Sequence, residues 1–310
     1  MTAPPRPVLV AVLLAIGIGW GSTQPLGKMS VATGHPPFGV IFWQLVIGTV
    51  LLGAISLARR RPLVLTRRRL EFFVVVAILG TLVPNTTFYI SVARLPSGIM
   101  SILISAVPLI ALPLALALGN DRFSWARLGG LLLGLAGVGL IALPGSSLPD
   151  PAMAAFLPLA LVGPLFYALE GNYVAWRGTD AMDPVQAMAG ASFVGMVLIV
   201  PLVLVTGQWV NPFAAPGQAE FAMLLMGIVH GLVYAAFVWL VAVGGPVFAG
   251  QSAYLVTASG MVWAMVLLDE RFSPTVWAAM ATMLAGVALV RPRDKETLVR
   301  LQKTRQELPR

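Results

Sequence analysis

The sequence predicts an all-α integral membrane protein with ten transmembrane helices, arranged as two inverted five-helix repeats around a central cavity. Three observations predict it. The 310 residues are 58% hydrophobic and 10% charged, with a mean hydropathy of +0.88, whereas soluble domains carry about 25% charged residues. Ten apolar segments approach the roughly 20 residues that a helix needs to cross about 30 Å of hydrocarbon. Finally, one pattern is written twice. Asp121-Arg122-Phe123-Ser124 precedes Leu135-Ala136-Gly137-Val138, and Glu270-Arg271-Phe272-Ser273 precedes Leu284-Ala285-Gly286-Val287.

The first span, 8–27, carries Gly19-Trp20-Gly21 and Gln24 and ends at Lys28. Ser30-Val31-Ala32 looks like a signal-peptide cleavage site, but the apolar run is long for a leader and Lys28 interrupts the approach, so a retained helix is expected. The second, 37–57, closes on Arg59–Arg61, and the third, 71–92, follows Arg67–Arg69. Within the third, Pro84 frees a backbone carbonyl, and Asn85 either pairs with it or faces the cavity. The fourth, 98–118, holds Ser101 and Ser105 on one face, then Pro108 and Pro113; the fifth, 125–143, carries a small-residue stripe, Gly130, Gly134 and Gly137. The sixth, 153–175, contains Tyr167 and Glu170; the seventh is 185–206; the eighth, 219–242, contains His230 and Tyr234. The ninth, 247–268, carries Gln251, Tyr254, Thr257, Ser259 and Trp263, and the tenth, 274–291, repeats the small stripe at Ala278, Thr282 and Gly286. Both stripes suit close helix packing within one molecule, with a dimer seam as the other use. Residues 293–310 form a basic tail.

With the N-terminus inside, 17 Lys or Arg fall on the inner side and three, Lys28, Arg94 and Arg271, on the outer. The positive-inside rule then places both termini in the cytoplasm. The same placement accounts for the net charge of +8. Basic clusters beside spans read as anchors facing anionic lipid rather than as a nucleic-acid surface.

The repeat aligns the two halves at an offset of 149 residues near their ends, and Pro96 meets Pro246 at 150. Trp20 falls opposite Phe166, Gln24 opposite Glu170, Gly80 opposite His230 and Tyr89 opposite Trp239. The units are therefore 1–146 and 147–292. Five is odd, so the second half enters the membrane from the opposite side. Inverted repeats of this kind serve alternating access around a site near the midplane.

The acid-Arg-Phe-Ser turns, the Leu-Ala-Gly-Val helices, Gly19-Trp20-Gly21 and Lys28 together resemble the EamA type of the drug/metabolite transporter superfamily over residues 8–291, and most closely its bacterial aromatic amino acid exporters. The resemblance implies helices one to four and six to nine around a cavity, with five and ten outside. It also implies export of amino acids, metabolites or drugs, and a multi-pass place in a bacterial inner membrane. Many members have an Arg early in the second helix; this chain reads Phe42-Trp43-Gln44 there, so no role resting on that Arg carries over.

A charge within hydrocarbon costs about 2.5–3.5 kcal/mol on the gentler scale, so ionisable groups at depth should face a cavity. Glu170 and His230 are the two such groups, and either could couple transport to protons or hold a substrate's ammonium group. The expected cavity lining is Trp20, Gln24, Asn85, Tyr89, Ser101, Ser105, Tyr167, Glu170, His230, Tyr234, Gln251, Tyr254 and Trp263. For the serines and Thr257 the competing use is interhelical hydrogen bonding, about 0.6 kcal/mol each. Trp43, Trp176, Trp209 and Trp277 lie near span ends and read as belt anchors. No catalytic constellation and no Walker motif is present, and the absence of cysteine removes thiol chemistry. The expectation is a transporter without catalytic residues, cofactor or metal, monomeric or weakly dimeric, whose partners are a small-molecule substrate and the lipid bilayer. A membrane sensor or scaffold is the remote alternative, and it leaves the repeat unexplained.

Overall fold

Prolines punctuate the helices, both at their starts and inside them. The computed structural model describes residues 5–117, 123–142, 148, 150–244, 249 and 252–289. Ten apolar helical elements run through these residues: α1 (Arg6–Ala32), α2 (Pro37–Ala58), α3 (Arg67–Val92), α4 (Ser97–Ala117), α5 (Trp125–Ala142), α6 (Leu157–Arg177), α7 (Pro184–Val205), α8 (Gln218–Gly244), α9 (Ser252–Leu268) and α10 (Pro274–Leu289). A 3₁₀ turn, Pro151–Phe156, leads into α6, and there is no strand among the described residues. Seven of the helices are long and apolar enough to cross a membrane, while Trp125–Ile141, Ser252–Leu268 and Pro274–Leu289 are shorter apolar helices.

Pro37, Pro184 and Pro274 open α2, α7 and α10, where a missing N–H costs nothing because it would have no helical partner. Asp183 and Gln186 close a reciprocal capping box on α7, and Thr66 accepts from the Arg69 N–H to start α3. Inside the helices proline has visible consequences. α3 passes through a π-helical turn, Ile78–Leu82, just before Pro84. α4 breaks between Ile104 and Val107, just before Pro108, because that ring removes a helical donor and disfavours helical geometry at the residue before it.

α1 packs against α8 and α9, and α6 packs against α3 and α4. α2 lies along α7, and α5 along α10. The α1–α9 contact is close enough that a Cβ on Gly21 would meet the Ser259 hydroxyl and the Gly260 nitrogen. Ser259 Oγ donates to the Gly17 carbonyl at 2.8 Å, and Trp263 Nε1 to the Ile18 carbonyl at 3.0 Å. In the α5–α10 pair, Gly137 abuts Met283 and the Ala279 carbonyl, and Gly286 abuts the backbone of Gly130 and Gly134. The packed stripe of α10 thus runs through Ala279, Met283 and Gly286. Ala278 is exposed and the half-buried Thr282 donates within its own helix to the Ala278 carbonyl, so the contact expected at those two positions is made one position on, by Ala279 and Met283.

The two ends of the bundle differ in chemistry. At one end, the arginines read as lipid anchors are paired within the protein: Arg59 and Arg61 with Asp183 at 3.3 and 3.5 Å, and Arg68 and Arg69 with Asp180 at 3.4 and 3.5 Å. The 26 residues of α3 lead from there to the opposite end, about 39 Å away at 1.5 Å per residue. At that end Glu270 ties three segments together. Its Oε1 accepts from the Ser97 N–H at 2.8 Å, the Ser97 hydroxyl at 3.1 Å and Lys28 Nζ at 3.2 Å, and its Oε2 accepts from the Gly98 N–H at 3.0 Å. Lys28 also donates to the Leu95 carbonyl at 2.9 Å. The carboxylate therefore caps the N-terminus of α4, where the helix dipole favours negative charge. Asp121 and Arg122, the matching turn, and the tail after 289 lie outside the described residues.

Candidate functional site

A cavity of about 960 Å³ lies between the two ends, walled by α1–α4 and α6–α9, with Val287 of α10 at its margin. Its walls are mainly apolar, including Leu13, Leu14, Leu103 and Ile104, and they carry two polar or aromatic groupings. The lining reaches Val10 on α1 and Ser252 on α9, away from the Lys28–Glu270 tie.

The first grouping is a hydrogen-bonded relay. Asn85 Nδ2 and the Tyr89 hydroxyl both donate to Gln44 Oε1, at 3.0 and 3.2 Å, and the Tyr167 hydroxyl donates to Asn85 Oδ1 at 3.3 Å. α2, α3 and α6 are joined in this way at depth. Asn85 is therefore satisfied by a side chain rather than by the carbonyl that Pro84 frees. The amide nitrogen of Gln44 has no partner among the described residues and belongs to a residue that lines the cavity.

The second grouping is aromatic. Trp20 lies 5.1 Å from Phe237, 5.9 Å from Tyr234 and 6.4 Å from His230, centroid to centroid, and His230 lies 6.2 Å from Tyr234. Tilted and edge-on rings at these separations attract one another, and their faces can also hold a cation. Between the groupings, Glu170 projects from α6 onto α3. A Cβ built on Gly80 would lie 2.5 Å from the Glu170 Cδ, so a residue without a side chain is what lets the carboxylate rest there. Among the described residues Glu170 has neither a hydrogen-bond donor nor a cationic partner, and the cavity lining contains no Lys or Arg.

The sequence profile described as the EamA-like transporter family matches residues 8–143 and again 155–291. The chain belongs to that family. It is a multi-pass membrane transporter. An uncharacterized transporter of Bacillus subtilis (strain 168), YvbV, is 26% identical over 303 residues, covering 92% of each chain. A probable terminal-alkyne amino-acid exporter of Streptantibioticus cattleyicolor is 24% identical over 287 residues, covering 91% of this chain and 93% of its own. A protein of known crystal structure shares the fold with a TM-score of 0.63 at 17% identity, covering 96% of this chain and all of that one.

Within this transporter fold, Trp20, Gln24, Asn85, Tyr167, Glu170, His230, Tyr234 and Tyr254 all line the cavity. Four other residues expected there do not. Tyr89 is fully buried behind the wall, its hydroxyl held by Gln44. Ser101 is buried against Gly260 and donates to the Ser97 carbonyl. Ser105 sits in the break of α4 and donates to the Ile102 carbonyl at 2.7 Å, serving backbone that Pro108 disturbs. Trp263 bonds α9 to α1. These side chains are spent on the scaffold. Gln251 lies outside the described residues. The sequence reading missed Gln44, Thr23, Thr81 and Met226 as lining. Gln44 carried the same signal as Asn85, an amide within an apolar run, but was weighed only as a departure from a family pattern.

Proposed function

We propose that this transporter exports small amphipathic metabolites, aromatic amino acids first, by alternating access between two inverted five-helix halves, 1–146 and 147–292. The observation that carries the reading is the cavity itself: both halves contribute to its walls, and they juxtapose an amide relay, a lone carboxylate and an aromatic group. Such a site suits a ligand with one polar and one apolar end. The doubled profile match and the packing support the inversion. Exchange of the halves converts the contacts of α1 with α8 and α9 into those of α6 with α3 and α4, and it maps the α2–α7 and α5–α10 pairs onto themselves. With both termini in the cytoplasm, the Glu270 tie closes the outer end and the cavity faces inward. The similarity to a probable amino-acid exporter supports the substrate class, and the apolar walls suit an apolar side chain.

Purified protein in proteoliposomes is expected to mediate flux of Phe and Trp, and less of Ala or a quaternary-ammonium drug, with and without an imposed pH gradient. No protein-dependent flux of any of the four contradicts this substrate class. His230 is the first choice for a proton-coupling group, with Glu170 the second. A His230→Ala variant that keeps the full response to the pH gradient removes His230 from that role.

A further inference from the structure

We infer that Glu170 and the π-helical turn of α3 form a primary-ammonium subsite, which rests on the cavity being the transport site. Three independent features converge there. The carboxylate lies directly on Gly80, inside the Ile78–Leu82 π turn. Pro84 has no N–H, so one carbonyl of the preceding turn loses its helical donor. Glu170 has no donor or cationic partner among the described residues, and no Lys or Arg lines the cavity. A lone carboxylate resting on a helical turn that is one backbone donor short makes an acceptor-rich corner. It calls for a compact group that is cationic and only donates, and a primary ammonium with three N–H bonds meets that description. A quaternary ammonium has no N–H to give, and a guanidinium is a planar fork with five.

The surroundings place the rest of such a ligand. Tyr167 lies three residues before Glu170 on α6, about 4.5 Å along the helix, and connects through Asn85 to Gln44. The unpartnered Gln44 amide nitrogen is a donor for the carboxylate of a zwitterion. Without a cation near it, that carboxylate is held more weakly than the ammonium. Amines lacking a carboxylate should therefore bind at least as well as the amino acid.

The test is ligand-dependent thermal stabilisation of the full-length protein, titrated with phenethylamine, phenylalanine, 3-phenylpropanol and 3-phenylpropanoate. Each titration is run in sodium and in choline buffer. The wild type is expected to bind both amines about tenfold or more tightly than the alcohol or the acid, equally in both buffers. Glu170→Gln should erase the amine preference, lowering amine affinity about tenfold while changing that for 3-phenylpropanol far less. Gly80→Ala should do the same, because its methyl displaces the carboxylate. A Glu170→Gln protein that keeps the preference overturns the subsite. So does amine binding that requires sodium, or wild-type protein that binds neither amine. Amine preference without flux in proteoliposomes overturns the proposed transport substrates and leaves the ammonium site standing; flux without amine preference does the reverse.

Discussion

Gln44 shows what a single polar side chain does at depth. One amide oxygen takes hydrogen bonds from Asn85 and Tyr89, so two residues of α3 are held to α2 by it. Replacing it by Leu leaves the Asn85 amide without its acceptor, at a cost of about 1–3 kcal/mol, and leaves the Tyr89 hydroxyl only the weak Met226 sulfur. Gln44→Leu is therefore expected to lower the unfolding temperature in detergent and to weaken binding of a zwitterion more than of the matching amine. Equal affinities for both ligands before and after substitution would contradict the placement of Gln44 in the site. Gly21 makes a different point. A leucine there must displace Ser259 and the α9 backbone. Overpacking costs about 1–3 kcal/mol, so Gly21→Leu should destabilise the protein more than Gly53→Leu, where nothing lies within 4 Å; thermal unfolding of the pair checks this. Both roles were written in the sequence, Gln44 as an amide in an apolar run and Gly21 within Gly-Trp-Gly. What could not be read is which neighbour each meets, since that depends on how α1, α2 and α9 cross.

At the scale of elements, helix ends and prolines were legible and side-chain facing was not. Periodicity in a helix that is apolar all round carries little information about which face is buried. That is why Ser101, Ser105 and Trp263 were expected in the cavity, yet they bond to backbone beside helix breaks and crossings. The repeated acid-Arg-Phe-Ser turn has a concrete job in its second copy. Glu270 caps α4, holds Lys28, and brings Phe272 against Gly98. Hydrogen bonds to a charged group contribute about 1.5–3 kcal/mol. Glu270→Gln removes the negative charge that holds Lys28 and should make this end open more often. The natural chain has no cysteine, so a single Cys at Ser101, buried just below the tie, reports opening cleanly. Its labelling by an impermeant maleimide is expected to rise about tenfold in the Glu270→Gln background. An unchanged rate would show that Glu270 is only a helix cap.

For the whole molecule, composition alone specifies the membrane class, and the repeated motif points to two halves. The cavity could not be read in the same way, because its walls come from helices as far apart in the chain as α1 and α9. The proposed transport cycle requires that cavity to be exposed alternately to the two sides of the membrane. The most direct test is a single cysteine at Gln24, in the cavity wall, in protein reconstituted with known orientation and probed with an impermeant maleimide from each side. Labelling from both sides, with the ratio shifted by Glu270→Gln and slowed by bound substrate, is the predicted result. Labelling from one side alone, in wild type and variant and at every substrate concentration, would contradict alternating access.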